Sequence, residues 1–251
     1  MYSKADTHIH TTYSDGLMTP EETVDIIAAQ TDLRVIAITD HDTAEGAFVA
    51  RAYALRHAPH LEVIIGQEIS TREGDVVGIF LKSTLPPLAT AAEAIAAIHA
   101  QGGLAVAVHP FSRWATFSNM HGVACKIFEL PFDAIEARNG FPANLISNPL
   151  TTWLNRSIGQ NLPELGGSDS HAPFTAGQAM TLFPGCSAAD LRQAIENGTV
   201  RAGGSLWKPS SLARLLPVLA QRGLPRHNRV GPNLNNIYHL PHSPADNFQE
   251  V

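Results

Sequence analysis

Arg34-Val35-Ile36-Ala37-Ile38-Thr39-Asp40-His41-Asp42-Thr43 decides the fold class. Val35 through Ile38 are aliphatic on both faces and partly β-branched, as in a strand buried on both sides of a parallel sheet. Thr39 through Thr43 are polar, so a buried strand hands the chain to a polar tip. An Ala-rich helix follows over roughly residues 44–58, then Leu61-Glu62-Val63-Ile64-Ile65 as a strand and Gly66-Gln67-Glu68 as its tip. Strand, tip, helix, strand, tip is the rhythm of a β/α fold.

Working outward, Asp6-Thr7-His8-Ile9-His10 is a strand whose alternation puts Asp6, His8 and His10 on one face, and it runs into the turn Ser14-Asp15-Gly16. Thr19-Pro20-Glu21-Glu22 opens a helix through a capping box with Pro at its first position, and Thr90-Ala91-Ala92-Glu93 opens another. Leu104 to Val108 and Phe132 to Ala137 are further strands, with tips His109-Pro110-Phe111-Ser112-Arg113 and Arg138-Asn139-Gly140. A strand over Leu162 to Gly166 runs into Gly167-Ser168-Asp169-Ser170-His171. Helices are expected over 143–157, over 187–197 with Ser187 as N-cap, and over Ser211 to Arg222. Asp75 to Lys82 mixes strand and turn signals. Residues 114–131 lack a clear period and are expected to form a small insertion or lid over the strand tips.

A chain of 251 residues buries a sizeable core, here read as one domain over 1–223 and a flexible Pro-, Asn- and His-containing tail over 224–251. The tail histidines His227, His239 and His242 read as part of a solvated tail or a packing arm rather than as metal ligands. No apolar run approaches the ~20 residues of a membrane span, and no hydrophobic signal region follows Met1, so the expectation is a cytoplasmic protein without a membrane partner. Cys125 and Cys186 are read as free, buried thiols. The formal charge of −6 speaks against an extended nucleic-acid surface and leaves room for a small phosphorylated substrate or a short oligonucleotide. It sets no oligomeric state.

The chemistry gathers at the strand tips: His8, His10, Asp15, Asp40, His41, Asp42, Glu68, His109, Glu136, Asp169 and His171. In a barrel of parallel strands these tips converge on one face. The donors are nitrogen and oxygen without thiolate, which suits Mn, Zn or Fe. They are too many for one ion of about four to six ligands, so two or three ions bridged by a carboxylate are expected. Such a centre suits hydrolysis, and neither a nucleophile elbow nor a Walker sequence competes with it. Asp6, Asp40 and Asp42 read as residues that orient the ligands or cap the chain, Glu136 and Asn139 as pocket lining, with Glu136 equally readable as a buried carboxylate bonded to a neighbour, and His57, His60, His99 and His121 as lying away from the tips. Arg113 and Arg138 follow strand tips, where a guanidinium can pair with a substrate phosphate.

Asp6-Thr7-His8-Ile9-His10 with Ser14-Asp15-Gly16, Thr39 to Thr43, Gly66-Gln67-Glu68, His109-Pro110 and Gly167 to His171 together resemble the PHP (polymerase and histidinol phosphatase) family, in its stand-alone phosphoesterase branch, over about residues 5–205. The resemblance implies a distorted, TIM-like (β/α)7 barrel with metals at its C-terminal mouth. It implies His8, His10, Glu68 and Asp169 on one metal, Asp15, His41 and His171 on a second, and Glu68 with His109 on a third. Where family members with three metals carry a histidine, this chain has Asp75, which places the third ion in question. The activity implied is hydrolysis of a phosphomonoester or short phosphodiester by a metal-bound hydroxide, with His41, His171 or a neighbouring Asp assisting the leaving group. Substrates of the branch are histidinol phosphate, nucleotides bearing a 3′-phosphate, and short oligonucleotides. A non-catalytic metal-binding regulatory module and a metal-dependent amide or lactone hydrolase are the alternatives.

Overall fold

A computed structural model describes residues 2–112, 121–158, 160–172 and 174–222. In chain order its elements are β1 (Tyr2–Ile9), α1 (Pro20–Gln30), β2 (Val35–Ile38), α2 (Glu45–His57), β3 (Glu62–Thr71), β4 (Gly74–Ile79), α3 (Ala91–Ala100), β5 (Leu104–Ala107), β6 (Ala134–Asn139), α4 (Ser147–Ser157), β7 (Glu164–Gly167), β8 (Ala179–Pro184), α5 (Ala188–Glu196), β9 (Arg201–Gly204) and α6 (Pro209–Arg222). The starts of α1, α3 and α5 follow the capping chemistry of the sequence. Thr19 accepts from the Glu22 N–H while the Glu22 carboxylate accepts from the Thr19 N–H, and Thr90 with Glu93 repeats the pattern. Ser187 and Asp190 do the same for α5.

The strands form one nine-stranded sheet in the order β7-β6-β5-β4-β3-β2-β1-β8-β9. β1, β2 and β3 are parallel to one another, as are β5, β6 and β7. β4 runs antiparallel to both β3 and β5, and β8 antiparallel to β1 and β9. The expected distorted α/β barrel is therefore present, but an all-parallel sheet is not. The reason is chain length: Arg72 and Glu73 alone join β3 to β4, and a parallel return needs a crossover of roughly a dozen residues. The reversal also sets the site, because the first residues of β4, including Asp75, lie at the same edge as the ends of β3 and β5.

Val35 and Ala37 belong to a core that includes Leu191 and Ile195 of α5, whereas Ile36 and Ile38 pack with residues of α1, α2 and α3. Alternation along a strand buried on both faces produces this division. The sheet closes where β7 meets β1 and β8. Gly166 N–H donates to Thr181 Oγ1 at 2.9 Å, and the Asp6 carboxylate accepts from Ser168 N–H at 2.9 Å and Gly177 N–H at 2.7 Å. A Cβ on Gly166 would lie 2.2 Å from the Met180 carbonyl oxygen, so the seam needs glycine there.

Several sequence expectations change. β8 and β9 were not foreseen; β9 is Arg-Ala-Gly-Gly, which carries almost no strand propensity of its own. The helix expected over 143–157 is a 3-10 turn, Pro142–Leu145, followed by α4. Of the expected lid, residues 114–120 lie outside the described residues, and the rest includes a 3-10 turn, Ala124–Phe128, with Val123 and Ile127 in the core rather than over the tips. Cys125 and Cys186 are free but exposed, the first in that turn and the second just before the α5 N-cap. The expected tail lies outside the described residues. Among the described residues, no helix is long and apolar enough to cross a membrane.

Replacing Gly166 by Ala should unseat the seam between β7 and β8 and cost about 2–3 kcal/mol of stability in urea unfolding. A loss under ~0.5 kcal/mol would mean that the close approach at Gly166 does not hold the barrel shut.

Candidate metal centre

The strand ends deliver their polar side chains to one buried cluster. Glu68, on the part of β3 that continues past the apolar run, stands in its middle. Its Oε2 lies 3.2 Å from His8 Nε2, 3.2 Å from His10 Nε2 and 3.4 Å from His41 Nδ1, and its Oε1 lies 3.2 Å from His109 Nε2. Asp169 Oδ1 is 3.6 Å from His8 Nε2, 3.3 Å from His10 Nε2 and 3.6 Å from His171 Nδ1. Asp15 faces His171 Nε2 at 3.2 Å, His10 Nδ1 at 3.7 Å and His41 Nε2 at 3.8 Å. The nitrogen and oxygen donors fall into four overlapping sets, each within 4.8 Å: His10-Asp15-His41-His171, His8-His10-Glu68, His8-His109-Asp169 and Glu68-Asp75-His109.

Local backbone geometry makes this convergence possible. Asp42, His109 and Asp169 all have positive φ, at 56°, 30° and 52°, which is unfavourable for residues other than glycine and is held in place by tertiary bonds. Glu68 N–H donates to the Asp40 carbonyl at 3.1 Å and Asp42 N–H to the Glu68 carbonyl at 2.7 Å, which locks His41 beside Glu68. Asp40 orients the loop that carries Asp15: its carboxylate accepts from Thr11 N–H at 2.6 Å, Thr11 Oγ1 at 2.7 Å and Ser14 Oγ at 2.8 Å. Asp42 accepts from Ser70 N–H at 2.9 Å.

Asp6 does not join the cluster with His8 and His10 as strict alternation predicts. The β1 register shifts between Asp6 and Ile9, and Asp6 turns to the backbone amides of the barrel seam. Burial raises the Asp6 carboxyl to about 6 against the lowering effect of its bonds to Ser168, Gly177 and His8. β6 has a similar shift between Glu136 and Arg138, so Glu136 and Asn139 are buried while Arg138 is exposed. Arg138 is thus not brought into the cluster, and Arg113 lies outside the described residues. Asp75 is buried, with its carboxylate accepting from His121 N–H at 3.2 Å and its own N–H donating to the His121 carbonyl at 2.6 Å. Away from the cluster, His57 stacks on Tyr53 and His99 pairs with Asp133 at 2.8 Å.

The electrostatics fit a cation. Burial pushes the His10 imidazole down, but contact with Asp169 and Glu68 and the charge of Asp15 overcome it and raise the group to about 10. Burial likewise works against His8, yet Asp169, Glu136 and Glu68 hold it well above its ordinary value. Burial dominates at His41, and with the positive fields of His10 and His171 it lowers that imidazole to about 3. Among the described residues, neither ring nitrogen of buried His10 makes a hydrogen bond, nor does His109 Nδ1, although carboxylates stand 3.2–3.7 Å from the His10 nitrogens. Ring nitrogens close to carboxylates but misaligned for hydrogen bonds are the arrangement that cations between them would satisfy.

Three surrounding residues were not singled out as organisers from sequence. Asn139 donates to Glu136 and Asp169, Asn144 donates to Asn139, and Trp207 donates its indole N–H to the Ser168 carbonyl at 2.7 Å. The Asn139-Gly140 tip pointed at the first. Nothing local marks Asn144 or Trp207, which reach the site through tertiary packing.

Comparison with known proteins agrees with this geometry. Residues 6–126 match the PHP domain and residues 159–200 the PHP-associated domain. The uncharacterised protein MJ1587 of Methanocaldococcus jannaschii is 34% identical over 172 residues, 64% of this chain and 94% of the relative. The 5′-3′ exoribonuclease Rnm of Escherichia coli is 41% identical over 87 residues, 32% of this chain and 29% of the enzyme. The 3′,5′-nucleoside bisphosphate phosphatase of Chromobacterium violaceum is 37% identical over 95 residues, 36% of this chain and 32% of the enzyme. The chain thus spans only about a third of the length of these two enzymes. A two-domain Bacteroides vulgatus protein containing a predicted PHP-like metal-dependent phosphoesterase shares the fold with a TM-score of 0.67 at 22% identity, covering 88% of this chain and 70% of that one. With both domain matches and nearly the whole Methanocaldococcus relative aligned, the chain belongs to the PHP family of metal-dependent phosphoesterases.

Proposed function

We propose that the protein hydrolyses a small phosphate ester at a centre of two or three divalent ions, Mn, Zn or Fe. The observation that carries this is the position of Glu68, whose two oxygens face different histidines and so suit a bridge between neighbouring ions. His8, His10, Glu68 and Asp169 would hold one ion, Asp15, His41 and His171 a second, and Glu68, Asp75 and His109 a third. Such ions would supply an activated water and would neutralise charge on phosphoryl oxygens. Asp75 supports a third site despite the missing histidine, because its main-chain and carboxylate bonds to His121 hold it beside Glu68 and His109.

The chain's own groups define the rest. The His171 side chain is 21% exposed whereas those of His8, His10 and His109 are at most 2% exposed, so the substrate phosphate approaches over His171 and Asp15. His41 and His171 act in this account as ligands, with their lone pairs committed, rather than as proton donors. Arg138 is assigned a part of the substrate that reaches beyond the rim, and Arg113 remains the expected partner of the phosphate itself. The formal charge of −6 favours a nucleotide or other small phosphate over a long polymer. The exoribonuclease and the nucleoside bisphosphate phosphatase among the relatives support a phosphorylated nucleotide or a short RNA end.

A phosphate-release screen with Mn, covering histidinol phosphate, 3′,5′-bisphosphonucleotides and a short 5′-phosphorylated oligonucleotide, should give turnover that His10→Ala lowers at least ~100-fold while the fold is retained. Wild type inactive across the panel, or a His10→Ala variant that unfolds with no activity to lose, would favour a structural metal module. A second expectation concerns protons. His8 and His10 are raised, so the metal-free protein holds their protons at neutral pH, whereas ligation requires neutral imidazole. Metal affinity should therefore rise with pH up to about 10, the value of His10, and binding should release protons. Calorimetry in buffers of different ionisation enthalpy reads that release directly, and a buffer-independent heat would contradict it.

A further inference from the structure

Asn139 is fully buried, and each of its polar groups is bonded. Its backbone N–H donates to Asn148 Oδ1 at 3.0 Å and its carbonyl accepts from Asn148 Nδ2 at 2.9 Å. Its side-chain Oδ1 accepts from Phe141 N–H and from Asn144 Nδ2, both at 2.8 Å. A backbone N–H can only donate, so the Phe141 bond fixes which end of the amide is oxygen. The opposite end, Nδ2, must then donate, and it does so to Glu136 Oε2 at 2.8 Å and to Asp169 Oδ2 at 3.1 Å.

One of these bonds reaches a proposed ligand, Asp169, directly, and the other reaches a second, His8, through Glu136. With Oδ2 of Asp169 held by Asn139, Oδ1 is the oxygen turned toward His8, His10 and His171. With Oε2 of Glu136 held by Asn139 and by the His109 N–H at 2.9 Å, Oε1 is left to accept from His8 Nδ1 at 3.0 Å. A carboxylate accepts only, so Nδ1 donates to Glu136, and when the imidazole gives up a proton to bind a metal, Nδ1 keeps its own and Nε2 is the nitrogen freed on the side of Glu68 and Asp169. Gly167 leaves room for the pair, since a Cβ there would lie 2.5 Å from His8 Cβ and 2.6 Å from Glu136 Oε1. The relay continues outward through Asn144, whose Oδ1 bonds Ser147 Oγ at 2.7 Å and also Ser112 Oγ, on the loop after His109.

We propose that Asn139 is a positioning residue of the metal centre, selecting the Asp169 oxygen and, through Glu136, the His8 nitrogen that face it. This rests on the metal-centre reading above. The polar groups of Asn139 are taken up by Asn148, Phe141, Asn144, Glu136 and Asp169, so its effect would pass through Asp169 and Glu136.

The test titrates the metal-free wild type, Asn139→Asp and Glu136→Gln with cobalt(II), reading the visible absorption, with thermal unfolding of each metal-free protein alongside. Asn139→Asp keeps the acceptor contacts to Phe141 and Asn144 and loses both donated bonds. Glu136→Gln keeps an oxygen for Asn139 and the His109 N–H but presents an amide donor to His8, moving the imidazole proton to Nε2. Each folded variant is expected to bind cobalt about 10–100-fold more weakly than wild type, with a changed absorption band. If Asn139→Asp does not fold, Glu136→Gln decides alone. Wild-type affinity and spectrum in the folded variants overturn the proposal, and so does loss of folding in both, which would assign the network to stability. A wild-type protein that binds no cobalt overturns instead the metal-centre reading itself.

Discussion

The Glu68 carboxylate, buried among four imidazoles, is the interaction on which the rest of the structure depends. Its oxygens lie 3.2–3.4 Å from nitrogens of His8, His10, His41 and His109, which come from three separate stretches of chain. Burial raises a carboxylate on its own, yet the field of His8 and the contacts with His10 and His109 bring Glu68 well below its ordinary value. Asp169 is lowered in the same way, by His8, His10 and His171 against burial. A charged group in so dry a place persists only where opposite charge stands against it. Protons on His8 and His10 supply that charge in the metal-free chain. Divalent ions would supply it in their place, which links metal binding to proton release.

Holding so many donors together costs backbone freedom. Asp42, His109 and Asp169 take left-handed conformations, and each lies in a segment whose neighbours are tied by hydrogen bonds to other strands. Asp6, Asp40 and Asp42 are not spare ligands but fasteners: Asp6 closes the barrel seam, Asp40 sets the loop that carries Asp15, and Asp42 joins the end of β2 to β3. The reversed strand β4 adds a donor that an all-parallel barrel would place at the opposite end. Asp75 is available only because β4 begins at the rim where β3 ends.

Much of the site was legible in the sequence because short-range chemistry writes it. Apolar runs ending in His, Asp or Glu identified the tips, and the capping boxes at Thr19 and Thr90 and the N-cap at Ser187 located helix starts within a residue. What escaped depends on long-range geometry. The register shifts in β1 and β6 break the alternation that would have aimed Asp6 and Arg138 inward with their neighbours. β9 exists because its glycines pair with β8, not because of local propensity. Trp207 reaches Ser168 across 39 residues, a contact that no local pattern encodes. The bonds from Asn139 to Asp169 belong to the same class, joining two strand tips whose pairing is settled only by the closed sheet.

The central claim is that Glu68 joins neighbouring ions. The most direct measurement is the number of divalent ions per chain, by elemental analysis after dialysis, in wild type and in Glu68→Gln. A neutral amide of the same shape should preserve the barrel but release the ions that Glu68 is proposed to bridge, leaving at most the one held by Asp15, His41 and His171. Wild-type stoichiometry in a folded Glu68→Gln protein would contradict the account.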